Sequence, residues 1–256
     1  MKSKYLSFGF VLFVLIIWVS NANASMLENK ILQANSYYTS AKYDSAAALY
    51  QSVVDAGYES SGLYYNLGNA YFKLREMPLA ILYFEKAKKL APADEDILKN
   101  LEVANTLLVD KIEKMPELFF KNWWNAFYNL FNAEAWAWIS IWLLLISLTS
   151  VFFYITSSRL WLRKTGFFSA ILFSILTIVS FGLASQRYYY TKQVNEAIIF
   201  VPTITVKSSP GSSSVDLFVL HEGTKVRLMD EVVGWNKIKI ANGSIGWLPN
   251  DSFKGI

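Results

Sequence analysis

Residues that could carry acid–base, nucleophilic or metal chemistry are few and scattered in this chain of 256 residues. There is no cysteine, and His221 is the only histidine, so thiolate chemistry is excluded and neither a zinc site nor a histidine-based triad is indicated. Glu28, Asp55 and Glu59 are carboxylates without a positioned acid or base partner. The sequence therefore predicts no catalytic residues, no metal ligands and no cofactor.

Composition and charge narrow the class of protein further. Hydrophobic residues make up 54% of the chain and aromatic residues 16%, which is typical of a protein with both membrane and globular parts. The formal net charge is only +4, which does not indicate a nucleic-acid-binding surface. We therefore expect membrane and protein partners and no nucleic acid.

Two apolar segments, residues 136–156 and 166–185, contain no charged side chain. At about 1.5 Å per residue, a helix of about 20 residues spans the hydrocarbon core of a bilayer. The connector between them, residues 157–165, carries three basic residues and no acidic residue, and such short connectors normally stay in the cytoplasm. We expect a transmembrane hairpin with both outer ends on the non-cytoplasmic side. The alternative is two buried helices of a soluble core.

The N-terminus has the pattern of a secretory signal peptide over residues 1–24. Lys2 and Lys4 precede an apolar segment, and Ala22-Asn23-Ala24 forms an A-x-A cleavage site. We expect cleavage after Ala24, which would place the following domain outside the cytoplasm. An uncleaved membrane anchor is the alternative, and it would leave that domain on the same side.

Residues 25–115 show the apolar spacing of antiparallel helices, with turns at Ala56-Gly57 and Ala91-Pro92. A set of small and large positions recurs at one constant interval, so that Ala34, Tyr37, Tyr43, Ala46, Tyr50 and Val53 return as Gly68, Tyr71, Met77, Ala80, Phe84 and Ala87. This interval and pattern resemble the tetratricopeptide repeat (TPR), with these residues as its core positions. A helix from about Asp94 to Lys114 is expected to cap the array.

The resemblance to TPR proteins implies that a partner protein binds the concave face of the helices. The candidate residues on that face are Asn35, Tyr38, Asn66, Asn69, Phe72, Lys73 and Lys99. Some TPR proteins clamp a C-terminal carboxylate with asparagines and cations, and Asn35 and Asn66 occupy the two asparagine positions. The cation positions hold Ile31, Asp96 and Asn100 instead, which argues against a carboxylate clamp.

Residues 116–135 form an aromatic segment just before the first apolar span. Its aromatic side chains are spaced mostly three to four residues apart, at Phe119, Phe120, Trp123, Trp124, Phe127, Tyr128 and Phe131. Such a stripe is suited to a helix lying in the membrane interface. The alternative is a docking face for a partner or for the TPR domain.

After a polar linker, residues 186–197, the pattern changes to short strands joined by turn residues over residues 198–256. The spacing of Gly223-Thr224, Trp235, Ile238, Gly243 and Gly246-Trp247 resembles the bacterial SH3 (SH3b) domain. The resemblance implies a small β-barrel of a kind that often binds cell-wall peptides or proteins, with Trp235 and Trp247 as its candidate surface. Packing within the barrel is the alternative role for both tryptophans.

The fold class predicted from these segments is a multidomain membrane protein with an α-helical TPR repeat domain, a two-helix transmembrane hairpin and a small all-β SH3-like barrel. This order of modules, with stretches such as Asn66-Leu-Gly68 and Val109-Asp110-Lys111-Ile112, resembles the BatE-like proteins of the Bacteroides aerotolerance operon. The resemblance implies an envelope protein of the cytoplasmic (inner) membrane with periplasmic TPR and SH3b domains. It also implies von Willebrand A-domain membrane proteins and, indirectly, a MoxR-type ATPase as partners, and a role in stress or oxygen tolerance.

These modules favour a non-enzymatic scaffold or adaptor that assembles an envelope complex. The alternative is a peptidoglycan-binding module whose TPR domain recruits a cell-wall enzyme. An enzymatic function is disfavoured because no carboxylate pair has a positioned partner.

Overall fold

The structure is a computed structural model that describes residues 26–113, 115, 119–193 and 195–256. These residues form a set of helical repeats, a hairpin of two long helices and a C-terminal antiparallel sheet. The predicted signal peptide, residues 1–24, lies outside the described residues.

Five consecutive helices follow the predicted repeat pattern. They are α1 (residues 26–39), α2 (Tyr43–Asp55), α3 (Ser61–Lys73), α4 (Met77–Leu90) and α5 (Glu95–Thr106). Gly57, at a predicted turn, has φ +84°, a left-handed conformation that glycine adopts without steric cost. Ser60 and Asp94 cap α3 and α5, because their side chains accept hydrogen bonds from the backbone N–H groups of Leu63 and Ile97.

Most of the predicted core positions of the repeats are buried, whereas Tyr37, Tyr43, Tyr71 and Met77 are half-buried. Side chains with 1% exposure or less include Ala34, Ala46, Tyr50, Val53, Ala80, Phe84 and Ala87. Gly68 allows α3 and α4 to approach closely, since a Cβ atom at this position would lie 2.7 Å from Cδ1 of Phe84. The repeat period found in the sequence is therefore confirmed as a period of packing.

Helix α5 is shorter than predicted, because it ends at Thr106 rather than near residue 114. The following residues run along the sheet. Ile112 packs against the sheet core, and the N–H of Met115 donates to the carbonyl of Ala241 at 3.2 Å. Tertiary contacts with the sheet thus override the helical periodicity of this segment.

An aromatic helix and two long apolar helices follow the repeats. They are α6 (Phe119–Tyr128), α7 (Ala133–Thr156) and α8 (Leu160–Lys192). Both α7 and α8 are long and apolar enough to cross a membrane. Helix α8 continues past residue 185 to Lys192, so most of the segment predicted as a linker is helical.

Small residues and hydroxyls hold α7 against α8. The Oγ of Ser147 donates to the Ala170 carbonyl at 3.1 Å and lies 2.8 Å from the Oγ of Ser174. Nearer the other end, the Oγ of Ser180 donates to the Trp136 carbonyl at 2.9 Å. Close approach and hydrogen bonds of this kind are what associate helices where the surroundings are as apolar as the side chains.

The C-terminal unit is a seven-stranded sheet in which every strand pair is antiparallel. Its strands are β1 (Glu196–Ile199), β2 (Thr203–Lys207), β3 (Asp216–His221), β4 (Lys225–Val232), β5 (Trp235–Lys239), β6 (Ile245–Pro249) and β7 (Phe253–Gly255). They pair in the order β3-β2-β6-β5-β4-β1-β7, with β3 and β7 at the ends. The predicted strands are present, whereas the closed barrel stays a prediction.

The sheet packs directly on the helical repeats. Ile198 of β1 and Ile256 belong to one buried cluster with Ile81 and Phe84 of α4 and with Leu101 of α5. Burial of apolar area is the main favourable term in such an association. The repeats and the sheet therefore share part of their hydrophobic core.

A charged triad lies beside this shared core. The Lys225 ammonium is 2.9 Å from the Glu85 carboxylate of α4 and 2.7 Å from the Glu196 carboxylate of β1. Burial alone would lower the pKa of Lys225, but Glu85 and Glu196 outweigh it and raise the pKa above its usual value. Lys225 is thus a cation at neutral pH and bridges the helices to the sheet.

Candidate protein-binding groove

A groove of about 270 Å³ lies across α1, α3 and α5, the first helix of each successive repeat unit. Its lining residues are Tyr38, Tyr65, Asn69, Phe72, Lys73, Asn100 and Val103. Aromatic rings, carboxamides and a single ammonium group therefore converge on one surface. We call this surface the repeat groove.

Four of the residues predicted for the concave face, Tyr38, Asn69, Phe72 and Lys73, line the repeat groove. Asn35 and Asn66 join α1 to α3, since the Nδ2 of Asn66 donates to the Oδ1 of Asn35 at 3.4 Å.

Lys99 is not part of the lining. Its ammonium lies 3.4 Å from the carboxylate of Glu95, and 67% of its side chain is exposed.

Sequence reasoning missed three lining residues, Tyr65, Asn100 and Val103. The signal for two of them was present in the repeat period. Asn100 lies one repeat period after Asn66, and Val103 lies one repeat period after Asn69. Extending the period into α5 would have placed both residues on the same face as their counterparts in α3.

Hydrogen bonds connect the carboxamides of neighbouring helices in a repeated manner. The Nδ2 of Asn100 donates to the Oδ1 of Asn69 at 2.7 Å and to the hydroxyl of Tyr65 at 3.0 Å. One repeat earlier, the Oδ1 of Asn35 accepts from Asn66 and also from the hydroxyl of Tyr50. Each asparagine pair is thus fixed in orientation by the repeat scaffold.

The tyrosines of and beside the repeat groove are neutral at pH 7, and its charge comes from a lysine. Burial, followed by the neighbouring Tyr43 and Tyr65, raises the pKa of Tyr38, and burial followed by Tyr38 raises the pKa of Tyr50 to about 12. Both hydroxyls are therefore protonated and act as hydrogen-bond donors. Among the lining residues the charged side chain is Lys73, which favours a ligand with an acidic group at that end.

A second surface, which we call the sheet face, contains Trp235, Lys237 and Trp247. In the β5–β6 register Trp235 is opposite Pro249 and Lys237 is opposite Trp247. Alternate residues of a strand point to the same face, so both tryptophans share one half-exposed face of the sheet. The Lys237 ammonium lies 6.0 Å from the centre of the Trp247 ring, at the limit of a cation–π contact.

A carboxylate in the segment after α5 fastens that segment to the sheet. Asp110 accepts hydrogen bonds from the backbone N–H of His221 at 2.8 Å and from the Thr224 hydroxyl at 2.7 Å, and its other oxygen lies 2.7 Å from Nδ1 of His221. Burial alone would raise the pKa of Asp110, but these hydrogen bonds and the charge of the His221 ring together lower it below its usual value.

Replacing Asp110 by asparagine is expected to destabilise the protein at pH 7 by about 1–3 kcal/mol, since an amide cannot accept all of these hydrogen bonds. The folded pKa is lowered, so the stabilisation is complete above the unfolded pKa of about 3.9 and is lost as the pH falls through the folded pKa. Urea unfolding of the full chain in detergent at pH 7 and below pH 4 measures this. The difference from wild type should shrink in acid.

Glu102→Gln, at an exposed carboxylate of α5, is the matched control and should change the unfolding free energy by less than about 0.5 kcal/mol. A difference between wild type and Asp110→Asn that stays constant from pH 7 to pH 3 would contradict the role of the Asp110 carboxylate.

Comparison with known proteins agrees with the repeat architecture. Residues 31–95 match the tetratricopeptide repeat family. A stretch of 59 residues, 23% of this chain, is 39% identical to tetratricopeptide repeat protein 6 of Homo sapiens and covers 11% of that protein. The chain thus spans only a small part of the length of this relative. Residues 31–95 are therefore similar to tetratricopeptide repeats, a module that generally mediates protein–protein interaction and is non-catalytic.

Proposed function

We propose that this protein is a non-enzymatic, membrane-anchored scaffold whose TPR and sheet units assemble a protein complex at the cell envelope. The observation that carries the proposal is the repeat groove, in which Tyr38, Phe72 and Lys73 converge from two TPR helices. Tetratricopeptide repeats suggest a protein ligand, and aromatic rings beside fixed polar groups are typical of a binding site.

The anchor in this proposal is the hairpin of α7 and α8. Few residues in the apolar part of either helix are buried, whereas the core helix of a soluble protein would be mostly covered. The short basic connector between them favours a cytoplasmic turn. In this arrangement both the repeats and the sheet lie on the periplasmic side of the inner membrane.

Helix α6 supports the membrane assignment. Phe119 and Trp123 are 84% and 75% exposed, while Phe127 and Phe131 lie against the ring of Trp136 at the start of α7. Exposed rings next to the beginning of a membrane span are suited to the interfacial zone. We therefore propose that α6 lies in the membrane interface.

The partners we propose follow from the resemblance to the BatE-like family. They are von Willebrand A-domain membrane proteins and, indirectly, a MoxR-type ATPase, in a complex that contributes to stress or oxygen tolerance. The SH3b resemblance of the sheet supports a second recognition module in the same chain. The sheet follows the hairpin within a few residues, and α6 lies between the repeats and the hairpin. This arrangement would keep the partners of both modules close to the membrane.

The groove proposal is tested by selecting random octapeptides from a display library on the full-length protein in lipid nanodiscs. We expect enriched peptides whose affinity falls at least about tenfold in Phe72→Ala, because an aromatic contact is lost, and in Lys73→Glu. Lys99→Glu, the same change at an exposed lysine outside the groove, is the control and should bind like wild type. No enrichment over empty nanodiscs, or equal binding by all variants, would contradict the proposal.

The topology is tested by cysteine labelling, which is free of background because the chain has no cysteine. Single-cysteine variants at the exposed positions Ser45, Ser158 and Ser212 report on the repeats, the hairpin turn and the sheet. In intact spheroplasts, a membrane-impermeant maleimide should label positions 45 and 212 and should reach position 158 only after permeabilisation. Labelling of position 158 without permeabilisation, or of only one of the other two, would contradict a hairpin with both units outside.

A second candidate function is binding of peptidoglycan by the sheet face, and it is favoured by Trp235 and Trp247 sharing one half-exposed face. Full-length protein in detergent would be sedimented with purified sacculi. Loss of co-sedimentation in Trp247→Ala, with Trp161→Ala in the hairpin as control, would support this function. No co-sedimentation of the wild type would exclude it.

A further inference from the structure

The hairpin between β4 and β5 ends in exposed apolar side chains. Met229, Val232 and Val233 are all exposed, and Val233 is 98% exposed. Val232 pairs with Trp235, so the turn itself consists of Val233 and Gly234. Gly234 has φ +79° and supplies the left-handed residue of the turn, while the position before it is one where polar residues are common. The turn geometry therefore does not account for a valine at its apex. We call Met229, Val232 and Val233 the hairpin tip.

Contacts between α4 and β1 fix the direction of the sheet relative to the long helices. The carbonyl of Lys89, at the end of α4, accepts from Arg187 near the end of α8, and the Lys89 ammonium donates to the carbonyl of Gln193. Two turns earlier in α4, Ile81 packs in one buried cluster with Ile198 of β1. Strand β1 therefore runs along α4 in the opposite direction and leads away from the end of α8.

Strand β4 leads back toward the long helices and passes them. It is antiparallel to β1, and the Lys225 ammonium at its start lies 2.9 Å from the Glu85 carboxylate. From Lys225 to Val233 the strand advances by about 26 Å, at about 3.3 Å per residue. Along α4 the distance from Glu85 to Lys89 is only about 6 Å. The hairpin tip therefore extends roughly 20 Å beyond Lys89, on the side of α7 and α8.

The hairpin tip thus reaches the level at which the apolar part of α8 ends. Arg187, which contacts Lys89, comes two residues after the uncharged segment that ends at residue 185. Charged side chains lie next to the tip on the side away from the apolar segment. Asp230 is opposite Lys237 in the strand register, and the Glu231 carboxylate accepts from Asn250 at 3.2 Å. An apolar apex below a mixed polar collar matches the order of acyl chains and headgroups at a bilayer surface.

We propose that the hairpin tip inserts into the interface of the bilayer that holds α7 and α8, and that the sheet therefore has a lipid-binding site of its own. This inference rests on the membrane anchoring in the proposed function and adds a second point of attachment. Trp235, opposite Val232, suits this position, because an apolar ring with a polar N–H is most stable in the interfacial zone. Attachment at two points would fix the orientation of the sheet above the membrane.

Fluorescence of single-cysteine variants of the full chain tests the insertion, since the chain has no cysteine of its own. Val232→Cys is labelled with the polarity-sensitive dye NBD and reconstituted in phosphatidylcholine nanodiscs, with and without lipids that carry a nitroxide near the top of the acyl chain. We expect blue-shifted emission that the nitroxide lipids quench. Val215→Cys, at an exposed valine before β3, is the matched control and should emit as in water, without quenching.

An aspartate at the apex tests the contribution of the apolar side chain. In the Val232→Cys background, Val233→Asp should lower the ratio of inserted to free tip by at least about tenfold, because burial of one valine side chain favours the inserted state by at least this factor. The ratio is read from the fraction of the emission that nitroxide lipids quench. Val215→Asp in the same background adds the same charge elsewhere on the sheet and should leave the quenching unchanged.

A probe in α7 separates this inference from the function on which it rests. Leu148→Cys, labelled in the same way in the middle of α7, should be quenched by a nitroxide deep in the acyl chain. If position 148 is quenched but position 232 is not, the anchoring stands and the inference is wrong. Blue-shifted emission at position 232 without lipid quenching would mean that a protein surface covers the tip, which also overturns it. If position 148 is not quenched, the proposed anchoring itself fails.

Discussion

Replacing Phe84 by alanine is expected to lower the free energy of unfolding of the repeats and the sheet together by about 3–5 kcal/mol. The Phe84 ring is 0% exposed, lies against the close approach at Gly68 and shares a buried cluster with Ile198 and Ile256 from the sheet. Alanine would leave a cavity at the point where the two units meet. The effect should therefore extend to the sheet.

Thermal unfolding of the full chain in detergent, followed by near-UV circular dichroism, measures this prediction. A loss of this size corresponds to a lowering of the unfolding temperature by roughly 6–20 °C. Phe120→Ala, the same change at an exposed ring of α6, is the control and should leave the temperature within about 2 °C. If the sheet kept its wild-type unfolding temperature in Phe84→Ala, the shared core would not couple the two units.

Replacing Arg187 by methionine is expected to weaken the contact between the helical repeats and the hairpin. Arg187 is 3% exposed near the end of α8. Its guanidinium donates to the side chain of Asn129 and to the carbonyl of Lys89 at the end of α4, both at 3.1 Å. It also lies 5.4 Å from the ring centre of Tyr128 and 5.5 Å from that of Tyr190.

The energetic effect of the Arg187 substitution is a balance of two terms. Two hydrogen bonds to a charged group stabilise by about 1.5–3 kcal/mol each, and burial of the Nε, which has no partner among the described residues, opposes them. We expect a net loss of about 3 kcal/mol, which corresponds to opening of the junction about a hundredfold more often.

Hydrogen exchange of the full chain in nanodiscs measures the opening at Arg187. Amides at the end of α4 and the end of α8 should exchange about a hundredfold faster in Arg187→Met, while those in the middle of α3 should not change. Arg227→Met, the same change at an exposed arginine of β4, is the control and should exchange like wild type. Unchanged protection at both helix ends would show that other contacts hold the repeats to the hairpin.

These two substitutions act on the contacts that orient the repeat groove. The Phe84 cluster joins the repeats to the sheet, and Arg187 joins them to α8 and to the end of α6. Lys89 adds a further link, because its ammonium donates to the carbonyls of Gln193 and Ile256 at 2.7 and 2.9 Å. A scaffold that presents its groove at a fixed angle to the membrane needs couplings of this kind, whereas a flexible tether would not.

Elements that depend on local periodicity could be predicted from the amino-acid sequence. The recurrence of small and large residues identified the repeat core, and the two uncharged segments identified α7 and α8. Both signals are patterns along the sequence, so they can be recognised without knowledge of contacts between distant segments. The resemblance to TPR proteins predicted Tyr38, Asn69 and Phe72 on the concave face, and the structure places these residues in the lining of the repeat groove.

The way in which these elements are joined became apparent only in three dimensions. Four features depend on distant partners or on side-chain directions that no local sequence pattern encodes. They are the early end of α5, the contact of Asp110 with His221, the triad of Lys225, Glu85 and Glu196, and the position of Lys99 away from the groove. Asp110 and His221 are 111 residues apart in the chain. Such contacts form where the surfaces of two distant segments meet. Their free energy therefore depends on how well the two surfaces fit each other, and not on the residue spacing within either segment.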